Sequence, residues 1–184
     1  EKANVRLYGQ EVNDKTWSIC EADLMIKGED AKVINGDTLF EDGFPNEKFD
    51  YMISNPPYGK SWSKIKKKVM KVSNGRFDIA QPRSSDGQLL FTLHMLSKMK
   101  DPKKGGSAIA IVHNGSPLFS GDAGGGESKI RQHIIENDML ETIVALPTQL
   151  FYNTGIATYI WIIRNNKPAA RKGKIQLINA VDFW

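Results

Sequence analysis

Four consecutive residues, Asn55-Pro56-Pro57-Tyr58, combine side chains and backbone in a way that suits one kind of chemistry. They follow Tyr51, Met52 and Ile53, a contiguous apolar run that reads as a buried strand stopped by the proline pair. Two prolines fix φ and remove two backbone N–H groups. The carbonyls of Asn55 and Pro56 are therefore expected on a stiff loop, without ladder partners. A rigid pair of acceptors matches the two donors of an amino group, and the Tyr58 ring offers a face to a planar partner. Together they describe a pocket for the exocyclic amine of a nucleobase. The C-terminal end of a strand, where the loop sits, is where open α/β sheets bind their ligands.

Two carboxylates fall at similar places. Glu11 follows a strand candidate at 5–9, and Asp37 lies in the turn Asn35-Gly36-Asp37-Thr38 after a strand candidate at 31–34. A carboxylate at such a strand end can accept hydrogen bonds from both hydroxyls of a ribose. Each residue is ordinary by itself. Glu11 also suits a solvated helix start, where the macrodipole favours negative charge, and Asp37 suits a plain turn. Their spacing carries more. Glu11, Asp37 and the 55–58 loop lie at successive strand ends, which a doubly wound sheet brings to one edge.

The elements that must hold these groups alternate through most of the chain. Strands are expected at 5–9, 31–34, 49–54, 107–113, 140–146, 158–164 and 175–180, and helices at 15–27, 86–100 and 129–137. The first helix has Trp17, Cys20 and Leu24, with Ile19 and Met25, as its apolar side. Residues 60–85 are polar and lysine-rich, with Trp62 and Phe77 interleaved; their poor periodicity predicts a partly mobile loop with one helical turn. Alternation of strands and helices predicts an α/β fold with a mostly parallel sheet covered on both faces. The last strands follow closely with no helix between them, which favours antiparallel pairing there.

Bulk properties set the frame. The 184 residues, 40% hydrophobic and 25% charged, suit one globular domain. No apolar run has membrane-spanning length and no signal peptide is visible, so a cytoplasmic protein without a membrane partner is expected. The single Cys20 excludes an internal disulfide and a cysteine-rich metal site, and is expected buried. His94, His113 and His133 show no metal-ligand spacing and are expected to be structural. The net charge of +4 is compatible with nucleic acid. The start at Glu1-Lys2-Ala3-Asn4 and the end at Asp182-Phe183-Trp184, close to strand-like segments, read as an excised piece of a longer protein.

Asn-Pro-Pro-Tyr after a hydrophobic strand resembles the catalytic loop of amino-group methyltransferases that use S-adenosylmethionine, chiefly those acting on adenine N6 in DNA. The resemblance narrows with Tyr8-Gly9-Gln10-Glu11-Val12-Asn13, Gly36-Asp37-Thr38-Leu39, His113-Asn114-Gly115, Arg131 on its Ile-rich helix, Leu146-Pro147, Leu150-Phe151 and Asn153-Thr154-Gly155-Ile156. In this order, over nearly the whole chain, they look like the modification (M) subunit of type I restriction-modification systems. The resemblance implies a Rossmann-like sheet in one truncated catalytic domain over residues 1–184. It implies that Asn55 and the Pro56 carbonyl accept hydrogen bonds from the amine of a flipped base. Tyr58 would stack on that base, and Phe151 on its other side, although Phe151 equally suits a core aromatic. Glu11, Asp37, Thr38 and Leu39 would bind the cofactor, with Asp37 at its adenine amine. Lys64, Lys66, Lys67 and Lys68 would contact DNA phosphates, although a charge run is as readily a solvated face. The implied partners are DNA, a DNA-specificity subunit and a restriction subunit.

One departure stands out. The first strand and the glycine-rich cofactor loop of that family are not found, and Gly124-Gly125-Gly126 does not follow directly from a strand. The resemblance therefore implies that this chain alone binds S-adenosylmethionine poorly and is inactive. Cytosine-N4 and protein-glutamine methyltransferases share the amine chemistry. A non-catalytic assembly module of a DNA-modification complex is the alternative from another class.

Overall fold

The computed structural model describes residues 5–152 and 155–183. It opens with a parallel unit of strand β1 (Leu7–Glu11), helix α1 (Asp14–Lys27) and strand β2 (Ala31–Asn35). The register from Leu7↔Ala31 to Glu11↔Asn35 carries the first strand two residues beyond the apolar stretch, so Glu11 is its last residue. Ladder pairing uses backbone groups and needs no apolar side chain. Helix α1 is capped by Asn13, whose side chain accepts the Thr16 N–H at 3.0 Å, and ends at Gly28 in a left-handed conformation (φ 65°). Trp17, Cys20 and Leu24 lie half-buried toward the strands, with Trp17 Nε1 donating to the Val33 carbonyl at 3.2 Å. Ile19 and Met25 face solvent instead, and Cys20 is only partly covered.

The chain continues through β3 (Tyr51–Ser54), α2 (Lys66–Lys71), α3 (Gln88–Ser97), β4 (Ala108–Asn114), α4 (Ser116–Phe119), α5 (Gly126–Glu136), β5 (Leu140–Ala145), β6 (Thr158–Arg164) and β7 (Gln176–Asn179). The strands form two sheets, β1-β2 and β3-β4-β6-β5-β7. Within the larger sheet β6 is antiparallel to both neighbours, whereas β7 lies parallel to β5. Among the described residues no helix intervenes between β5 and β6, which pair antiparallel. An aromatic cluster joins the sheets: the Tyr8 ring lies 5.4 Å from Phe44 and 5.3 Å from Phe49, which leads into β3. Gln10 adds hydrogen bonds to the backbone at Glu41 (2.6 Å) and Gly43 (3.2 Å). Lys98 reaches Asp42 and the Phe44 carbonyl, each at 2.6 Å.

The core lies between the larger sheet and the helices. Ile109, Ile111 and His113 alternate inward along β4, Trp161 and Ile163 along β6, and Leu89, Leu90, Leu93, Ile130 and Ile134 come from α3 and α5. Residues 60–85 depart from the expected mobile loop. They contain α2 and bury Trp62, Val69 and Phe77 in the same core. Each such side chain contributes about 2 kcal/mol on burial, enough to hold a polar segment that lacks any apolar periodicity. Gly126 opens α5 where a Cβ would sit 1.7 Å from the Gln81 carbonyl oxygen, so the glycine-rich run lets this helix pack against residues 81–82. The Arg83 N–H then donates to Glu127 Oε1 at 2.8 Å, fastening the same corner.

Candidate active site

The 55–58 loop leaves β3 at its C-terminal end. Asn55 and Pro57 are exposed, Pro56 is buried and Tyr58 is half-buried. Among the described residues, neither the Asn55 nor the Pro56 carbonyl accepts a hydrogen bond. The Tyr58 hydroxyl donates to Asn55 Oδ1. Burial pushes the Tyr58 phenol above its ordinary value, so it keeps this proton at neutral pH. Tyr58 and Phe151 each lack a ring partner among the described residues.

A buried polar chain anchors the loop from behind. Gly59, with φ +60°, donates its N–H to Asp86 Oδ1 at 3.3 Å, and the Gly87 N–H donates to the Lys60 carbonyl at 3.0 Å. Asp86 Oδ2 accepts from Gln88 Nε2 at 2.6 Å, and this amide nitrogen also donates to Asn114 Oδ1 at 3.0 Å. Gln88 Oε1 lies 3.0 Å from His113 Nδ1, and His113 Nε2 lies 2.9 Å from the Thr92 hydroxyl. An amide oxygen only accepts, so Nδ1 carries the imidazole proton and Nε2 accepts from Thr92. Burial pushes the His113 pKa down to about 3, which keeps the ring neutral. His113 is thus structural, as its sequence context suggests. Asp86 and Gln88 are not singled out by the sequence, because their roles rest on partners far along the chain.

The two carboxylates lie at and just beyond the strand ends of the smaller sheet. Among the described residues that sheet is not hydrogen-bonded to the one that carries the 55–58 loop, so the three groups do not share one continuous sheet as the sequence suggests. Glu11 pairs with Asn35 in the β1–β2 ladder, and the Gly36 N–H donates to the Glu11 carbonyl at 3.0 Å. Glu11 Oε1 accepts the Asn13 N–H at 2.7 Å, and Asp37 Oδ1 accepts the Leu39 N–H at 2.8 Å. Among the described residues the second oxygen of each carboxylate takes no hydrogen bond. Each acid is therefore oriented by one backbone donor and keeps one acceptor free, which fits a ligand rich in hydroxyl and amino donors. Thr38 is half-buried. Leu39 packs into the core beside Trp62 and Phe77, so its side chain shapes the turn from inside.

The turn is tied to the segment that follows the 55–58 loop. Arg76 donates to the Thr38 and Leu39 carbonyls at 2.9 and 2.7 Å. Lys68 Nζ lies 3.6 Å from the centre of the Phe40 ring, and Lys66 Nζ 5.3 Å from that of Trp62. Lys64 and Lys67 are exposed and lie over no ring. Phe151 is half-buried after β5, and Asn153 and Thr154 lie outside the described residues.

A family model described as N-6 DNA Methylase matches residues 1–183. The chain is 32% identical over 181 residues to the type I restriction enzyme MjaIX methylase subunit of Methanocaldococcus jannaschii, covering 97% of this chain and 31% of that protein. It is 30% identical over 180 residues to the HindI methylase subunit of Haemophilus influenzae, covering 96% and 38% respectively. The chain thus spans about a third of the length of these curated relatives. Among solved structures, a type I restriction-modification system methyltransferase subunit from Streptococcus thermophilus matches with a TM-score of 0.73 at 26% identity, covering 94% of this chain and 36% of that one. A putative class I S-adenosylmethionine-dependent methyltransferase from Listeria monocytogenes shares the fold, with a TM-score of 0.71 at 17% identity and coverage of 97% and 50%. The fold is that of the Rossmann-like class I methyltransferases. This chain belongs to the N-6 DNA methylase family.

Proposed function

We propose that the chain is part of the single catalytic domain of a DNA methyltransferase that modifies the N6 amine of adenine with S-adenosylmethionine as donor. The observation that carries this reading is the pair of unengaged carbonyls at Asn55 and Pro56, beside Asn55 Oδ1 and the Tyr58 ring, at the end of β3. Inside a duplex the amine is engaged in pairing, so the base is flipped into the pocket. Asn55 Oδ1 and the Pro56 carbonyl accept its two N–H groups and orient the nitrogen lone pair, while Tyr58 stacks on the ring. Phe151 closes the opposite side. S-adenosylmethionine, when bound, supplies an electrophilic methyl group. Glu11 takes the ribose hydroxyls, Asp37 the adenine amine, and Thr38 and Leu39 give the turn its shape. Alignment of amine and methyl accounts for most of the acceleration.

The same reading gives the chain its partners: DNA, a DNA-specificity subunit and a restriction subunit, in the cytoplasm. Lys64, Lys66, Lys67 and Lys68 lie downstream of the catalytic loop and supply phosphate contacts. Among the described residues no strand leads straight into a glycine-rich loop that could cradle the methionine end of the cofactor. The isolated chain therefore binds S-adenosylmethionine weakly. The deciding experiment treats DNA with the assembled complex and labelled S-adenosylmethionine, then analyses the nucleosides. N6-methyladenine is expected. N4-methylcytosine, label in a polypeptide glutamine, or no transfer by a complex that binds DNA would each replace this reading with one of its alternatives.

A further inference from the structure

Arg76 is an odd residue to find inside the protein. It is 6% exposed, and no carboxylate lies within ion-pair distance of it among the described residues. Its hydrogen-bond partners are backbone carbonyls and an imidazole instead. Nη1 donates to the Thr38 carbonyl and lies 2.9 Å from His94 Nδ1, Nη2 donates to the Leu39 carbonyl, and Nε donates to the Ser73 carbonyl at 3.1 Å. Burial works against its charge, and the more distant Asp42 and Asp37 support it. A buried cation is costly, and its retention here goes with the geometry it imposes. Two of its donors fix consecutive carbonyls in the turn that begins at Asp37. A planar fork holds such a pair in a set orientation, which a point-charge ammonium cannot do. The other donors fix the turn to Ser73 and α3, the side of the molecule that carries the lysine segment.

We propose that Arg76 is a positioning residue for the cofactor: by clamping the Thr38 and Leu39 carbonyls it aims the free oxygen of Asp37, and so sets the affinity for S-adenosylmethionine. The inference rests on the reading of the Asp37 turn as the site of the cofactor's adenine. The clamp makes no hydrogen bond to the amine-binding loop, which the Asp86 chain holds, so cofactor affinity and turnover separate.

The test uses the intact methyltransferase complex with Arg76→Lys and Arg76→Gln, and with Lys167→Met as a comparison. Lys167 is another buried cation, paired with Asp138 at 2.7 Å, away from the turn. Both Arg76 variants should raise KM for S-adenosylmethionine and Kd for S-adenosylhomocysteine about tenfold or more, with kcat at saturation changed less than about threefold. Lys167→Met should lower thermal stability without moving KM. Unchanged KM in the Arg76 variants, or a loss confined to kcat, overturns the proposal. In the unsubstituted complex, S-adenosylhomocysteine should slow hydrogen exchange over residues 37–40 and 73–76 together; protection of 37–40 alone also overturns it, whether or not the variants fold. A wild-type complex that binds neither cofactor species would instead overturn the function proposed above.

Discussion

The Tyr58 hydroxyl hydrogen-bonds Asn55 Oδ1, the same atom that the proposed reaction assigns to the incoming amine. One lone pair of Asn55 Oδ1 is thus occupied at rest, while the Asn55 and Pro56 carbonyls stay open, and the incoming amine takes the second lone pair or replaces the hydroxyl. Exchanging one hydrogen bond for another costs little net free energy, so the interaction can hold Asn55 in place without blocking entry.

This relationship separates two roles of Tyr58. Tyr58→Phe keeps the ring and frees Asn55, and should methylate within a few-fold of the unsubstituted protein. Tyr58→Ala loses a base stack worth about 1–3 kcal/mol, and should methylate roughly ten- to a hundredfold more slowly. Cofactor affinity should stay nearly constant in both, because the proposed place of Tyr58 is against the base and not the cofactor. Steady-state rates beside calorimetric titration of the cofactor check this. Parallel loss of rate and cofactor affinity in a folded Tyr58→Ala protein would remove Tyr58 from the base site.

The lysines divide by their surroundings. Lys66 and Lys68 lie over the rings of Trp62 and Phe40, whereas Lys64 and Lys67 project from the surface without such neighbours. Joint replacement of Lys64 and Lys67 by Ala should therefore reduce the salt dependence of DNA binding most cleanly. The slope of log K against log salt should become shallower by about 0.9 for each phosphate that is no longer neutralised. Lys68→Ala should instead disturb the Asp37 turn through Phe40. An unchanged slope for the Lys64/Lys67 variant makes the segment a solvated face.

Acid should weaken the fold through two imidazoles. Burial, then the neighbouring Arg76 charge, pushes the His94 pKa down to about 4, and burial pushes that of His113 down to about 3. Both are neutral when folded, while in the unfolded chain they take up protons near pH 6.5. Between that pH and about 4 the unfolded state holds more protons, so stability falls as pH falls. The full contribution is present above about pH 6.5 and is lost as pH drops through the folded values. Thermal melts from pH 7.5 to 4.5 should show a steadily falling midpoint, and the imidazole resonances of His94 and His113 in the folded protein should not titrate above pH 5. Ordinary titration near pH 6.5 would place the rings in water.

The sequence shows most plainly what local pattern controls. The strand before Asn55 is legible because apolar residues run straight into two prolines, and its loop emerges with free carbonyls. The strand is not buried as the apolar run implies: Met52 alone packs on the core, while Tyr51 and Ile53 face solvent because no element among the described residues covers that side of β3. Glu11 and Asp37 are legible from their strand ends. The 60–85 segment is not, because Trp62, Val69 and Phe77 are spaced without period and acquire a core only from α3 and the sheet. Arg76 and Asp86 look like ordinary surface charges until the turn and loop they hold are folded against them. The site of β6 between β4 and β5 is equally invisible, since it depends on pairing across the chain.

One strand edge gives a last prediction. Among the described residues β3 pairs only with β4, and its outward residues Tyr51 and Ile53 are 80% and 86% exposed. β1 likewise pairs only with β2 among the described residues. Ile19, Met25 and Ile26 extend the exposed apolar surface along α1. An uncovered edge with apolar side chains is a template for pairing with another chain. The isolated 184-residue chain should therefore self-associate in a concentration-dependent way. Ile53→Lys puts a charge on that edge without touching the core, and should shift the chain toward monomer with its circular dichroism preserved. Light scattering over a dilution series follows the association of both chains. A wild-type chain that remains monomeric at high concentration would show that these side chains are tolerated in water, and that the open edge draws no partner.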